Sequence, residues 1–305
     1  GPSIANLVAG SEGIFGIITR ATVRIRPVPE RIASRAYLFH DFAAGTNAIR
    51  EAAHAEIPIA MLRLSDADET RFYRAFGEIG KSRTIKDSIA AMMLSSRKFG
   101  AEACILIAAF EGDVDTVDFA RKRFDRIAKS LGAMALGNGP GDRWRERRFQ
   151  APYMRDPMMD RGLGVDTLET ATSWAKLPAL YEAVKKALTD SIAASVPRPG
   201  ARGIVMCHIS HSYADGASLY FTYIFPRALN GGDIPQWQAI KKAASDAIVA
   251  HGGTISHHHG VGEDHLPWIA QEKGALGLDV LRAVKSALDP KGILNPGKLI
   301  PPALP

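Results

Sequence analysis

Residues 203–226 read GIVMCHISHSYADGASLYFTYIFP. Two runs rich in β-branched and aromatic residues, GIVMCHISHSY and ASLYFTYIFP, meet at the turn Ala214–Asp215–Gly216, which predicts an antiparallel hairpin. Within its second arm the faces alternate. Ser218, Tyr220 and Thr222 point one way, and Leu219, Phe221 and Tyr223 the other. Tyr220 therefore shares a face with small polar residues, as a cavity-facing position should. Tyr223 lies with the apolar set, where its exchange for Phe is expected to cost little in stability or turnover.

Working outward, RAYLFHDF, IAMLRLSD and ACILIAAFEG predict strands, and GVDTLETATSW is extended. Helices are predicted over Ala43–Ala53, from about Asp66, over Val114–Leu131 and over Leu177–Ala194. Downstream, PQWQAIKKAASDAIVAHGG is a helix closed by a Gly-Gly cap. A last helix, Leu276–Leu288, stops at the turn-rich tail DPKGILNPGKLIP. Strands alternating with helices around a hairpin predict an α+β fold, a split-βαβ antiparallel sheet covered by helices on one face. No internal repeat of fixed period is present. At the start, IITRATVRIRPV alternates like a strand and ends at Pro27 and Pro29. No neighbour in sequence pairs with it, so its sheet is expected upstream, with one unit ending at residue 29 and a second over 30–305.

The composition, 46% hydrophobic and 23% charged over 305 residues, is that of a globular protein with a real core. No apolar run approaches the roughly 20 residues of a membrane helix, and no leader pattern opens the chain, so a cytoplasmic protein is expected. Cys104 and Cys207 read as reduced core thiols. Much of the net charge of +6 sits in RWRERRF, Arg143–Phe149. A helix face that is merely solvated, an anion-binding patch and a contact with an acidic membrane all fit it. Nucleic-acid binding would need aromatic platforms and a recognisable motif, and neither is found.

The chemistry concentrates late in the chain. Seven of the 9 histidines lie between His208 and His265, three of them in GGTISHHHGVGED, residues 252–264. On an extended segment, adjacent histidines face opposite sides. His257, His258 and His259 are therefore not expected to share one ion, even with HISH (His208, His211) nearby, and no metal is assigned. Proton handling suits imidazoles better, since they titrate near neutrality. Arg63 stands in an apolar strand, where a charge needs an anionic partner. Gly10, Gly13 and Gly16 are spaced G-x-x-G-x-x-G before a strand. That is not a dinucleotide fingerprint, and by spacing alone it is a tight loop. Arg155 in APYMRDP and Tyr220 by themselves read as a surface cation and a strand aromatic.

GSEGIFGIITRATVRIRPVPE, ISHHHGVGEDHLPWIAQEKG and ALDPKGILNPGKLIP together resemble the vanillyl-alcohol oxidase type of flavoprotein. The triple histidine narrows the resemblance to its alkyldihydroxyacetonephosphate synthase branch. AMLRLSD, AAFEGD, YMRDP, LETATSW and SYADGASLYF fall between them in the expected order, so the resemblance spans essentially the whole chain. It implies that residues 1–29 end a FAD-binding domain and that 30–305 form a cap domain. It further implies that Glu12, Gly13, Ile14, Phe15, Gly16, Ile17 and Ile18 line the flavin. Tyr220 would exchange a proton with substrate, the run His257–His259 would be catalytic, and Arg155 and Arg63 would hold substrate. The implied reaction replaces the acyl chain of acyl-dihydroxyacetone phosphate with a fatty alcohol, the flavin N5 trapping the headgroup carbon in between. Implied partners are the lipid phosphate and the alcohol; peripheral membrane contact and a homodimer stay open. The phosphate-cradling half of the flavin domain is absent from these residues, so weak FAD binding is expected of them alone.

The alternative is the sister branch of FAD-dependent D-2-hydroxyacid (lactate, glycolate, 2-hydroxyglutarate) dehydrogenases. That branch carries H-x-G-D-G-N-x-H in the hairpin and E-H-G later, whereas HSYADGASLY and HHHGVG stand here. A basic membrane-docking module without enzymatic activity is a third reading, and Arg155, Tyr220 and the histidines give no reason for it.

Overall fold

The computed structural model describes residues 1–78, 99–197 and 200–302. Seven strands alternate with helices among them: β1 Arg31–Phe39, α2 Phe42–His54, β2 Met61–Ser65, α3 Ala67–Glu78, β3 Cys104–Gly112, α4 Val114–Ser130, β4 Met134–Gly137, α5 Gly139–Arg147, α6 Arg155–Met159, β5 Leu163–Ser173, α7 Leu177–Ser195, β6 Ile204–Ile209, β7 Gly216–Pro226, α8 Asp233–Ala250 and α9 Leu266–Leu288. A short helix α1, Ile4–Val8, precedes them.

The strands form one sheet in the order β4-β1-β3-β2-β6-β7-β5, antiparallel at every pairing. The first four strands, in spatial order 4-1-3-2, are a complete split-βαβ unit with α2 and α4 as its crossovers. β5, α7, β6, β7 and α8 repeat that path without the fourth strand. The two units join through their equivalent strands, β2 and β6. The chain is thus a structural repeat that no sequence period announces, because packing needs only the apolar pattern, not the residues, to recur.

Alternation sorts the side chains. Leu64, Leu106, Cys207, Ile209, Leu219 and Phe221 point under the sheet, where α2, α4, α7 and α8 bury Ile49, Phe124, Leu180, Leu188 and Ile240 against them. Asp41 and Asp113 cap α2 and α4 by accepting the main-chain N–H of Ala44 and Thr116. Both cysteines are buried and free. The expectation of helices on one face holds for these long helices. It fails for α5, which lies on the opposite face, where a Cβ at Gly141 would come within 2.7 Å of Ser34.

Residues 17–29 form no regular element and pair with no described strand, in keeping with the absence of any neighbour in sequence to pair with, and Val23, Ile25 and Val28 are 72%, 85% and 91% exposed. Two other expectations need correction. The last helix begins ten residues earlier than expected, at Leu266, and breaks at Gly274 (φ 67°), so the predicted Leu276–Leu288 is its second half. Tyr223 is fully buried as foreseen, yet its hydroxyl donates to Asp166 Oδ2 at 2.7 Å. Trp237 Nε1 donates to the same oxygen at 2.7 Å, and Lys241 lies 3.4 Å away. Burial would raise the Asp166 carboxyl, but Lys241, Trp237 and Tyr223 hold it below the usual range.

Tyr223→Phe should therefore cost more than the face pattern implied. A buried hydrogen bond to a charged group is worth about 1.5–3 kcal/mol, so urea unfolding of this variant should show a loss of that order with catalysis spared. An unchanged midpoint would count against the Asp166 network.

Candidate active site

The seam between the two half-sheets places the chemistry. Ser65 on β2 pairs with His208 on β6, His208 with Tyr220 on β7, and Tyr220 with Glu169 on β5. Paired residues in a sheet share a face, so these four stand in one row across four strands, on the face away from the core helices. Arg63, two residues before Ser65, joins them.

One network lies at the β2 end of the row. Arg63 is 8% exposed, and its guanidinium donates to Glu69 Oε1 at 2.9 Å and to Ser65 Oγ at 2.8 Å. Nδ1 of His208 lies 3.0 Å from the same Glu69 oxygen and 3.1 Å from Arg63 Nη2. Burial alone would raise the Glu69 carboxyl, but Arg63 and His208 bring it down to about 2. Burial and the Arg63 charge keep His208 neutral by lowering its pKa. The Tyr220 ring stacks on His208 at 4.8 Å and 14°. Glu69 is thus the anion that Arg63 required, and Arg63 supports His208 from behind instead of standing open to a ligand.

The histidine run forms the other network. His258 adopts φ 61°, left-handed backbone. The segment is therefore not extended, and the expectation that adjacent imidazoles face opposite sides is wrong. The His257 and His258 rings stack at 4.0 Å, and His211 meets His258 edge-on at 4.5 Å. The run is tied along β5: Thr254 N donates to Ala171 O and His257 N to Glu169 O, both at 3.0 Å. Gly253 permits this approach, since a Cβ there would sit 2.6 Å from Thr170 Oγ1. Glu169, 3% exposed, lies beneath. Its Oε1 is 3.2 Å from His211 Nδ1 and 3.4 Å from His257 Nδ1, and its Oε2 is 4.0 Å from His259 Nε2. Tyr213 Oη is 3.1 Å from His257 Nε2, and the His259 ring stands edge-on to Tyr220 at 5.2 Å. Burial is the main cause lowering the His257 pKa, outweighing Glu169. One donor atom each from Glu169, His211, His257 and His258 lie within 4.8 Å of one another, close enough for a divalent ion to bridge them.

The structure thus brings Tyr220 together with His257, His258 and His259, joins to them His211, which the sequence offered as a further ligand, and adds Glu169 and Tyr213, which sequence reasoning missed. Glu169 carried a signal: it is a carboxylate among the apolar and small residues of LETATS, much as Arg63 is a charge in an apolar strand. Arg155 is not part of the cluster. It starts α6, exposed, and makes no ion pair among the described residues.

The glycine loop reaches the run from the other side. Glu12 (φ 51°) accepts the main-chain N–H of Val261 at 2.5 Å and of Gly262 at 2.8 Å. Ile14 and Phe15 are buried with Leu299 in a small second core. Ile17 and Ile18 are 80% and 65% exposed.

The class to which this sheet and its site belong follows from comparison with known proteins. Residues 28–299 match the family described as FAD linked oxidases, C-terminal domain, and the chain belongs to it. It is 34% identical to alkyldihydroxyacetonephosphate synthase of Dictyostelium discoideum over 99% of this chain and 49% of that protein. It is 31% identical to the Trypanosoma brucei brucei synthase over 99% of this chain and 49% of that one. A solved structure of alkyldihydroxyacetonephosphate synthase superposes with a TM-score of 0.72 at 30% identity, covering 97% of this chain and 49% of that one. The chain spans about half the length of the curated relatives it matches.

Arg63→Ala should cost about 3–5 kcal/mol, because it strands a buried carboxylate. In the unmodified protein Glu69, with its pKa lowered to about 2, adds stability above the ordinary glutamate value of about 4.3. That contribution is lost as pH falls from there toward 2. Unfolding followed between pH 6 and 2 should show this loss, and Glu69→Gln should flatten it.

Proposed function

We propose that the chain is the catalytic cap of a flavin-dependent transferase that exchanges the acyl chain of acyl-dihydroxyacetone phosphate for a fatty alcohol. The observation that carries the reading is the row His208–Tyr220–Glu169 with the histidine run folded over it, in a chain whose relatives of that name match it nearly end to end. The exchange breaks one C–O bond to the acyl group and makes one to the alcohol. The alcohol must lose its hydroxyl proton, and the departing carboxylate is the matching acceptor. Tyr220, between the stacked His208 and the edge-on His259, presents a hydroxyl with no hydrogen bond among the described residues, free to carry that proton.

Residues 1–29 belong to the flavin side. The main-chain N–H groups of Gly16, Ile17 and Ile18 make no hydrogen bond among the described residues, which suits them to a polar heterocycle. The N–H of Ile14 is already donated to Ser11 O at 3.0 Å. Ile14 and Phe15 anchor the loop, and Glu12 ties it to the residues after the histidine run. When bound, FAD supplies the ring nitrogen at which the headgroup carbon is activated. Arg155, exposed and without an ion pair among the described residues, is the cation offered to the phosphate. The exposed arginines of α5, with Phe149 70% and Tyr153 81% exposed nearby, form the surface we assign to peripheral membrane contact, where a fatty alcohol resides.

The donor set at Glu169, His211, His257 and His258 is the one feature that favours the second reading, metal-assisted oxidation of a D-2-hydroxyacid. Incubating flavin-loaded protein with labelled fatty alcohol and, separately, with 2-hydroxyacids and a dye separates the two. Label should enter the ether product without dye reduction. In the same assay Tyr220→Phe should keep its melting temperature and lose about 10²–10⁴-fold in turnover, the contribution of a positioned acid–base group. Wild-type turnover in that variant would remove Tyr220 from the chemistry.

A further inference from the structure

Two buried carboxylates stand on the site's face, and their partners differ. Glu69 is paired with the guanidinium of Arg63. Glu169 is as deeply buried, yet among the described residues its ion partners are imidazoles alone, those of His211, His257 and His259. A carboxylate kept in such a place without a fixed cation does not serve stability. It also contacts both segments of the cluster, the β6–β7 hairpin loop through His211 and the histidine run through His257 and His259. Its main-chain carbonyl fixes His257 N as well.

We propose that Glu169 is the positioning residue of the histidine run, clamping His211, His257 and His259 into the arrangement that faces Tyr220. An ionised carboxylate only accepts hydrogen bonds. Nδ1 of His211 therefore carries its hydrogen toward Glu169, and Nε2 is left for the site. His257 Nδ1 stands 3.4 Å from Oε1 without completing a hydrogen bond, and its Nε2 lies 3.1 Å from the Tyr213 hydroxyl. A carboxylate at this position thus favours one tautomer of the His211 ring and places its charge beside Nδ1 of His257. A carboxamide of the same size would offer donors to those nitrogens and favour the other tautomer. The inference deepens the transferase reading and rests on it for its kinetic arm alone.

Side-chain ¹⁵N NMR of the histidines and steady-state kinetics, both on the flavin-loaded protein, test it. Glu169→Gln should move the ring-nitrogen signals of His211 and His257. Its kcat should fall by about tenfold or more, part of the about 10²–10⁴-fold that positioned proton transfer supplies, with KM within about threefold. His211→Asn should cost turnover in the wild type and little more in the Glu169→Gln background, because both changes break one unit. If Glu169→Gln does not fold, His211→Asn alone should still shift the His257 signals. Unmoved ring signals, or costs that simply add, would overturn the proposal. So would a chelator that removes one equivalent of metal from the wild type and shifts the same signals, which would make Glu169 an ion ligand. Absence of acid-for-alcohol exchange in the wild type would sink the transferase reading and leave the NMR arm to decide this one.

Discussion

Two rungs of pairing between β2 and β6, at Leu64/Ile209 and Ser65/His208, determine where everything else can be. Without them the molecule is two half-sheets, each with its own helices and core. With them, the row Ser65, His208, Tyr220, Glu169 is continuous, and Arg63 comes close enough to His208 to support it. A shift of the seam by one residue would turn Ser65 away from His208, since the side-chain period of a strand is two. The large core under the sheet guards against that slip. Leu64 and Ile209 are fully buried, and such a shift would bring a polar residue into their place.

Each half contributes one carboxylate to the face, and the two behave differently because of what stands beside them. Glu69 has a guanidinium, so it is ionised well below the usual range and its neighbourhood is rigid and charge-balanced. Glu169 has only imidazole rings beside it. Tyr220 sits between these two environments, its ring stacked on the neutral His208 and met edge-on by His259. A fixed electrostatic wall on one side and a proton-bearing cluster on the other is an arrangement suited to moving a proton at a hydroxyl between them.

Most of the fold was legible from residue patterns. The hairpin, the faces of Tyr220 and Tyr223, the strand ends and the helix cores follow from periods of two and 3.6 that burial enforces. Arg63 was legible too, because a charge in an apolar strand demands a partner. The seam was not, since nothing local distinguishes a strand that pairs with its own half from one that bridges to the other. The convergence of His257 and His258 was hidden for a different reason: a single residue at φ 61° reverses the alternation, and histidine tolerates that backbone without any glycine to announce it. The hydroxyl bond of Tyr223 was missed because a face assignment says where a ring goes, not what its polar tip meets. The strand pattern at residues 17–29 was read correctly as a pattern, but pairing depends on a surface that these residues do not supply.

The distance along the chain between the partners of the seam has a consequence for how the protein is made. Arg63 and His208 are 145 residues apart, farther than the strand pairings within either half-sheet. Contacts between distant segments carry the larger loop-closure cost and form late. The two halves can therefore become ordered independently, with cores and helices in place, while His208 still lacks its Arg63 and Glu69 support. The support that β2 lends to His208 is thus the part of the site that reports on assembly of the whole sheet.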